Sequence, residues 1–166
     1  EIDAQTIVMG SEVHIPIYVD DWAARIRVEN LPPGLRLDPA QNTIVGRPSK
    51  PMTRLVKVVA YNGFGQSDPV QFPIAVLPFP AAHVGSFTGL IFHGQDSLLK
   101  HGGILRLSVS STGVASLFID SGARKWRLKT GVTFQPGSNS GVIRAALPFA
   151  DGTTQYLEIG LEATET

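Results

Sequence analysis

The sequence predicts an all-β chain, and three observations carry that prediction. Apolar residues alternate with polar ones at a period of two along most of the 166 residues, as they do in strands with one buried face. The runs are separated by turn residues: 17 Gly and 12 Pro exceed the combined share of roughly 12% that is usual. No window of about a dozen residues keeps i, i+3, i+4 apolar spacing free of Gly and Pro, so no helix is predicted.

The first half gives the strands in order. Val13, Ile15, Ile17 and Val19 alternate with His14, Pro16 and Tyr18, and Ile26 and Val28 alternate with Arg25 and Arg27. Leu55 to Ala60 is apolar on nearly both faces, which suits a central strand. Val70, Phe72, Ile74 and Val76 then alternate with Gln71, Pro73 and Ala75. The stretch Leu77-Pro78-Phe79-Pro80-Ala81-Ala82-His83 has two prolines two apart, which remove ladder donors and favour an extended, fairly stiff connector. The expected organisation is therefore a sandwich over 1–77, a Pro-rich linker over 78–84 and a second antiparallel β domain over 85–166.

The second half repeats the pattern with tighter turns. Six strands are expected between Phe87 and Leu161, with inward sets 105/107/109, 126/128/130, 143/145/147 and 157/159/161. Ser111-Thr112-Gly113, Ser121-Gly122 and the 136–141 segment are turns, and Asp151-Gly152 is a hairpin signal that accepts positive φ at both central positions. Spacings of about 10–12 residues indicate an antiparallel meander, folded as a small barrel or sandwich or left open with two unpaired edges.

One segment carries a resemblance. Leu31-Pro32-Pro33-Gly34-Leu35-Arg36-Leu37-Asp38-Pro39, then Ile44-Val45-Gly46-Arg47-Pro48, are followed by Val56 to Asn62 and Gln71 to Val76. Together they resemble the Ig-like, dystroglycan-type cadherin-like module of bacterial surface and secreted proteins, over roughly residues 2–76. The resemblance implies an Ig-like β-sandwich with Leu31, Leu35 and Ile44 as core anchors. Asn42 stands where that family usually has Gly, and Asn also tolerates a left-handed turn. The Asp/Glu spacings of calcium-binding relatives are missing around Asp20, Asp21, Asp38 and Asp68, so no calcium site carries over. The segment from Gly85-Ser86-Phe87-Thr88-Gly89-Leu90 through Leu105-Arg106-Leu107-Ser108-Val109 is similar to a β-rich repeat that follows such modules, which implies context and no activity.

Composition narrows the function classes. Fourteen basic residues balance fourteen acidic ones, unlike a generally basic nucleic-acid binder. There is no Cys, hence no disulfide, thiol nucleophile or Cys-based zinc site. The apolar runs fall far short of the about 20 residues that span a bilayer. The chain begins at Glu1 without Met, so a fragment or processed product is expected. Gly65-Gln66-Ser67-Asp68-Pro69 departs from a nucleophile elbow and reads as a turn. His93 and His101 flank a loop beside Asp96 without metal-ligand spacing, and the adjacent Asp20 and Asp21 diverge along the chain; surface roles are expected for all of these.

Six residues are candidates for ligand or interdomain contact. Trp22 follows two Asp in a connection, and Phe64 sits at a glycine-flanked tip, where packing against the linker or the adjacent domain is the expected role. Lys125, Arg127 and Lys129 share the outer face of one strand, with Arg106 on a neighbour; a solvated strand face is the bland reading, and contact with acidic polysaccharide, lipid headgroups or nucleic acid the functional one. Trp126 has the opposite parity and should be buried. The expected function is a non-catalytic extracellular structural or adhesion module pair from a larger bacterial surface or secreted protein; the alternative is a carbohydrate-binding module that targets a linked catalytic domain. Expected partners are other modules of the same polypeptide, a polysaccharide or another surface protein, with no nucleic acid and no membrane insertion. No cofactor, metal or catalytic residue is expected, and the expected location is extracellular, at the cell surface or periplasmic.

Overall fold

In a computed structural model, which describes residues 2–19, 25–91, 103–134 and 140–162, the chain divides into a first unit ending at Phe79 and a second beginning at Pro80. The first holds strands β1 (Gln5–Val8), β2 (Val13–Pro16), β3 (Arg25–Glu29), β4 (Leu35–Asp38), β5 (Thr43–Gly46), β6 (Met52–Tyr61) and β7 (Val70–Leu77). They form a sandwich of two sheets, ordered β1-β7-β6-β3 and β2-β5-β4. All ladders are antiparallel except that of β1 with β7. Of the expected anchors Leu31 is half-buried, while Leu35 and Ile44 are buried, with Ile15, Ile17, Val58 and Phe72. Removing each such side chain from water contributes about 1.5–3 kcal/mol.

Strand β6 is central in its sheet, yet only one of its faces is fully covered. Val56, Val58 and Ala60 are buried, whereas Leu55 is 52% exposed and Val59 half-buried. Two stacked sheets bury only their facing surfaces, so an apolar run on a central strand does not guarantee cover on both sides.

The motif residues explain themselves by close backbone approach. Gly34 (φ +95°) and Gly46 (φ +133°) lie in conformations that side chains resist. A Cβ on Gly34 would land on the Arg47 carbonyl oxygen, and one on Gly46 would land on that of Gly34. The same approach lets the Arg47 N–H donate to Gly34 O (3.1 Å) and the Ser49 N–H to Pro33 O (2.9 Å). Pro32 and Pro48 are fully buried. Asn42 takes the left-handed conformation at φ 49°, the substitution for glycine that its chemistry allows.

The second unit holds β8 (Gly85–Ile91), β9 (Gly103–Val109), β10 (Val114–Asp120), β11 (Lys125–Phe134), β12 (Gly141–Pro148) and β13 (Thr154–Leu161). They pair in chain order as an antiparallel meander. Strand β11 ladders with β10 from Lys125 to Gly131 and with β12 only from Val132 to Phe134. Beyond that short ladder, side chains bridge β11 to β12: Thr130 Oγ1 donates to Arg144 O (3.1 Å) and Trp126 Nε1 to Pro148 O (3.2 Å). A core of Ile119, Trp126 and Leu147, flanked by Leu105, Leu128, Phe149 and Leu157, occupies the half-barrel so formed. Among the described residues β8 and β13 each have one neighbour. Those two strands are the edges of the sheet there, so its described part is barrel-like and forms a half-barrel.

Two local expectations need correction. The Asp151-Gly152 hairpin has positive φ only at Gly152 (84°); its wider turn is closed by the Phe149 N–H to Thr153 O (2.8 Å), with Asp151 Oδ1 accepting from Thr153 N and Oγ1. The connector is not extended throughout, because Ala81–His83 forms one 3₁₀ turn and buries His83. Its ring tilts against Phe134 at 5.2 Å.

The glycine contact generates a test. Gly46→Ala should destabilise the protein by more than about 1 kcal/mol in a urea melt, because strain at positive φ adds to a backbone clash. Gly63→Ala, where a Cβ meets nothing within 4 Å, should leave the midpoint essentially unchanged. Equal midpoints for both variants would contradict the role assigned to Gly46.

Candidate functional site

Register across the meander builds one surface. On the face of β8–β11 away from the core, Thr88 pairs with Arg106, Arg106 with Phe118 and Phe118 with Arg127. The next row runs Ser86, Ser108, Ser116 and Lys129. Both rows line a concavity of about 620 Å³. Strand spacing places Arg106 and Arg127 about 10 Å apart on either side of Phe118. The Arg127 guanidinium lies over the Phe118 ring, 5.5 Å from its centroid, an arrangement worth about 0.5–1 kcal/mol at an exposed site.

Short turns fix this register. The Gly113 N–H donates to Ser110 O and the Ser110 N–H to Val114 O (3.0 and 2.9 Å), closing the β9–β10 hairpin. The Ser121 N–H donates to Arg124 O (3.0 Å) and closes β10–β11. Gly113 and Gly122 take positive φ in these turns. A slip of one residue in either hairpin would carry Phe118 or Arg127 to the core face.

The cations are not equivalent. Lys125 pairs with Asp120 at 3.2 Å, and Asp120 is held below its ordinary carboxylate value first by the Gly122 N–H, then by the Lys125 side chain, with weaker attraction from Arg106. Arg106, Arg127 and Lys129 have no ion-pair partner among the described residues. This face therefore carries positive charge that no acid among the described residues pairs with.

Two further depressions lie on the first unit, each with a cation paired to a carboxylate. One, of about 600 Å³, is lined in part by Arg27, Glu29, Lys57 and Tyr61; Glu29 accepts from both Arg27 (2.8 Å) and Lys57 (3.5 Å). The other, of about 320 Å³, contains Glu12, His14, Arg36, Asp38 and Arg47. There Arg47 bonds Glu12 Oε2 (3.0 Å) and Gly10 O (2.8 Å).

The sequence-derived candidates divide accordingly. Arg106, Arg127 and Lys129 come together, and Lys125 lies on the same face but is spent on Asp120. Phe64 stands fully exposed at the β6–β7 tip, where Asn62 Oδ1 accepts from the N–H groups of Phe64 and Gly65; among the described residues nothing covers the ring. Trp126 is buried. Ser67 is hydrogen-bonded within its turn, accepting from Ala60 N and donating to Asp68 O. Trp22, Asp20, Asp21, His93, Asp96 and His101 lie outside the described residues. Among the described residues no group of three or more His, Cys, Asp or Glu could hold a metal ion, and no helix is long and apolar enough to cross a membrane. Phe118 was missed in the sequence, although the inward parity of Leu117 and Ile119 points it outward.

The architecture defines an all-β protein of two units with a basic, partly aromatic sheet face. No family model matches the chain, and no curated protein matches it.

Asp120 offers a check on the electrostatics. Its depressed pKa means that its contribution to stability is present above the unfolded carboxylate value and is lost as pH falls through the lower folded value. Carboxyl NMR should show a midpoint below 3.8. In Lys125→Ala the midpoint should rise but stay depressed, because the Gly122 hydrogen bond is the larger cause. A return to the ordinary value in that variant would reverse the order of the two causes.

Proposed function

We propose that the chain is a non-catalytic structural and adhesive module pair from a larger bacterial surface or secreted protein, working outside the cytoplasm beside other modules of the same polypeptide. The observation that carries this reading is the placement of the carboxylates. Glu12, Glu29, Asp120 and Glu158 are engaged in ion pairs with Arg47, with Arg27 and Lys57, with Lys125 and with Arg144. Asp120 and Asp151 are both held below the ordinary carboxylate value by hydrogen bonds, to Gly122 and to Thr153 respectively. A general acid needs the opposite shift, toward the working pH. Acids arranged this way keep sheet surfaces hydrated and in register, which is what a spacer or contact module requires.

The resemblance of residues 2–76 to cadherin-like surface modules supports the same reading, as does the tandem of two β units. The second reading, a polysaccharide-binding module beside a catalytic domain, is favoured by the uncompensated face of β8–β11. Location is testable without knowing a ligand. Protease added to intact producing cells, or to their medium, should cleave the full-length protein between modules. Protection that persists after the outer envelope is permeabilised, and ends only when the inner membrane is lysed, would place it in the cytoplasm and defeat the proposal.

A further inference from the structure

We infer that the outer face of β8–β11 binds a linear polysaccharide bearing carboxylate groups, with Arg106 and Arg127 each engaging one carboxylate and Lys129 a third. The inference deepens the polysaccharide-binding reading of this same face.

Charge supplies the first argument. These three exposed cations lack acidic partners among the described residues, whereas Lys125 beside them is neutralised by Asp120. An anionic ligand would therefore gain attraction without first breaking an ion pair. Shape supplies the second. Arg106 and Arg127 stand two strands apart, about 10 Å, and Lys129 lies two residues along β11, about 7 Å from Arg127. Single cations at such intervals suit a polymer with one charge per sugar; a densely sulfated chain would need a tighter cluster.

Preorganisation supplies the third. The Phe118 ring beneath the Arg127 guanidinium restricts that side chain and leaves the fork of N–H donors free for bidentate contact with a carboxylate. The hydroxyls of Ser86, Thr88, Ser108 and Ser116 line the same concavity and can both donate to and accept from sugar hydroxyls. Four strands in a row offer about 14 Å of such surface, enough for several sugars laid across them. Single-stranded nucleic acid fits less well, because its recognition uses successive open aromatic faces. In the two outer rows Phe118 is the one aromatic side chain, and a guanidinium already covers it.

Affinity electrophoresis of the full chain through gels containing polygalacturonate, dextran, dextran sulfate or a single-stranded oligonucleotide tests the inference. Polygalacturonate should retard the protein and dextran should not, and added salt should weaken the retardation. Arg106→Ala with Arg127→Ala should weaken the apparent affinity by about tenfold or more. Arg127→Lys, which keeps the charge but loses the fork, should fall between that variant and the unaltered protein. Circular dichroism and thermal melts of these exposed-site variants should match those of the unaltered protein. Absence of retardation by polygalacturonate, undiminished retardation of the double variant, or preference for dextran sulfate or the oligonucleotide would overturn it. The assay uses purified protein, so its failure leaves the protease result on location standing, and the reverse holds equally.

Discussion

Trp126 lies on the part of β11 that does not ladder with β12, and its indole fixes the orientation of everything on that strand. The backbone ladder covers only Val132–Phe134. Toward the other end of β11 the indole bonds Pro148 O and packs with Ile119 and Leu147, tilted against Phe149 at 5.5 Å. Arg124 covers both rings from above, 5.9 and 5.6 Å from their centroids. With Trp126 committed to the core, strand alternation leaves Lys125, Arg127 and Lys129 no inward choice. The cationic face is thus a consequence of hydrophobic packing on the opposite side of the same strand. A polar residue at 126 would weaken both at once, since the core and the orientation of the outer side chains share one cause.

Much of this was legible because the relevant information is local. The period of two placed Leu107, Val109, Ile143, Ala145 and Leu147 inward, and each is buried. The motif glycines could be read as backbone constraints, although their mutual contact could not, since it joins residues twelve apart through the geometry of two strands. Positions within a strand are readable in this way; relations between strands depend on turns. The meeting of Arg106, Phe118 and Arg127 follows only once two hairpin registers are known. The 3₁₀ turn that buries His83 was obscured by the prolines before it, which signal extension without saying where extension stops.

The distribution of ion pairs bears on function. In the first unit Glu29 stands between Arg27 and Lys57 and pairs with both. Surface pairs of this kind contribute little to stability, about 0–1 kcal/mol, but they reduce the pull on outside charges. The second unit has such a pair at Arg144 and Glu158 on β12 and β13 and another at Lys125 and Asp120. Arg106, Arg127 and Lys129, gathered across the middle of β8–β11, have no such pair among the described residues. A chain with balanced overall charge can therefore still present a basic surface, and net charge alone hides it.

The Asp120–Lys125 pair also sets how that surface responds to acid. Arginine stays charged throughout the accessible range, so Arg106 and Arg127 do not titrate. Asp120 is held anionic below its ordinary value by Gly122 and Lys125. A uronate carboxylate loses its charge as pH falls through the carboxylate range, whereas the arginines that receive it stay charged. Acid would then release a uronate chain by neutralising the ligand, and the loss of binding is a property of the ligand's carboxylates rather than of Arg106 and Arg127.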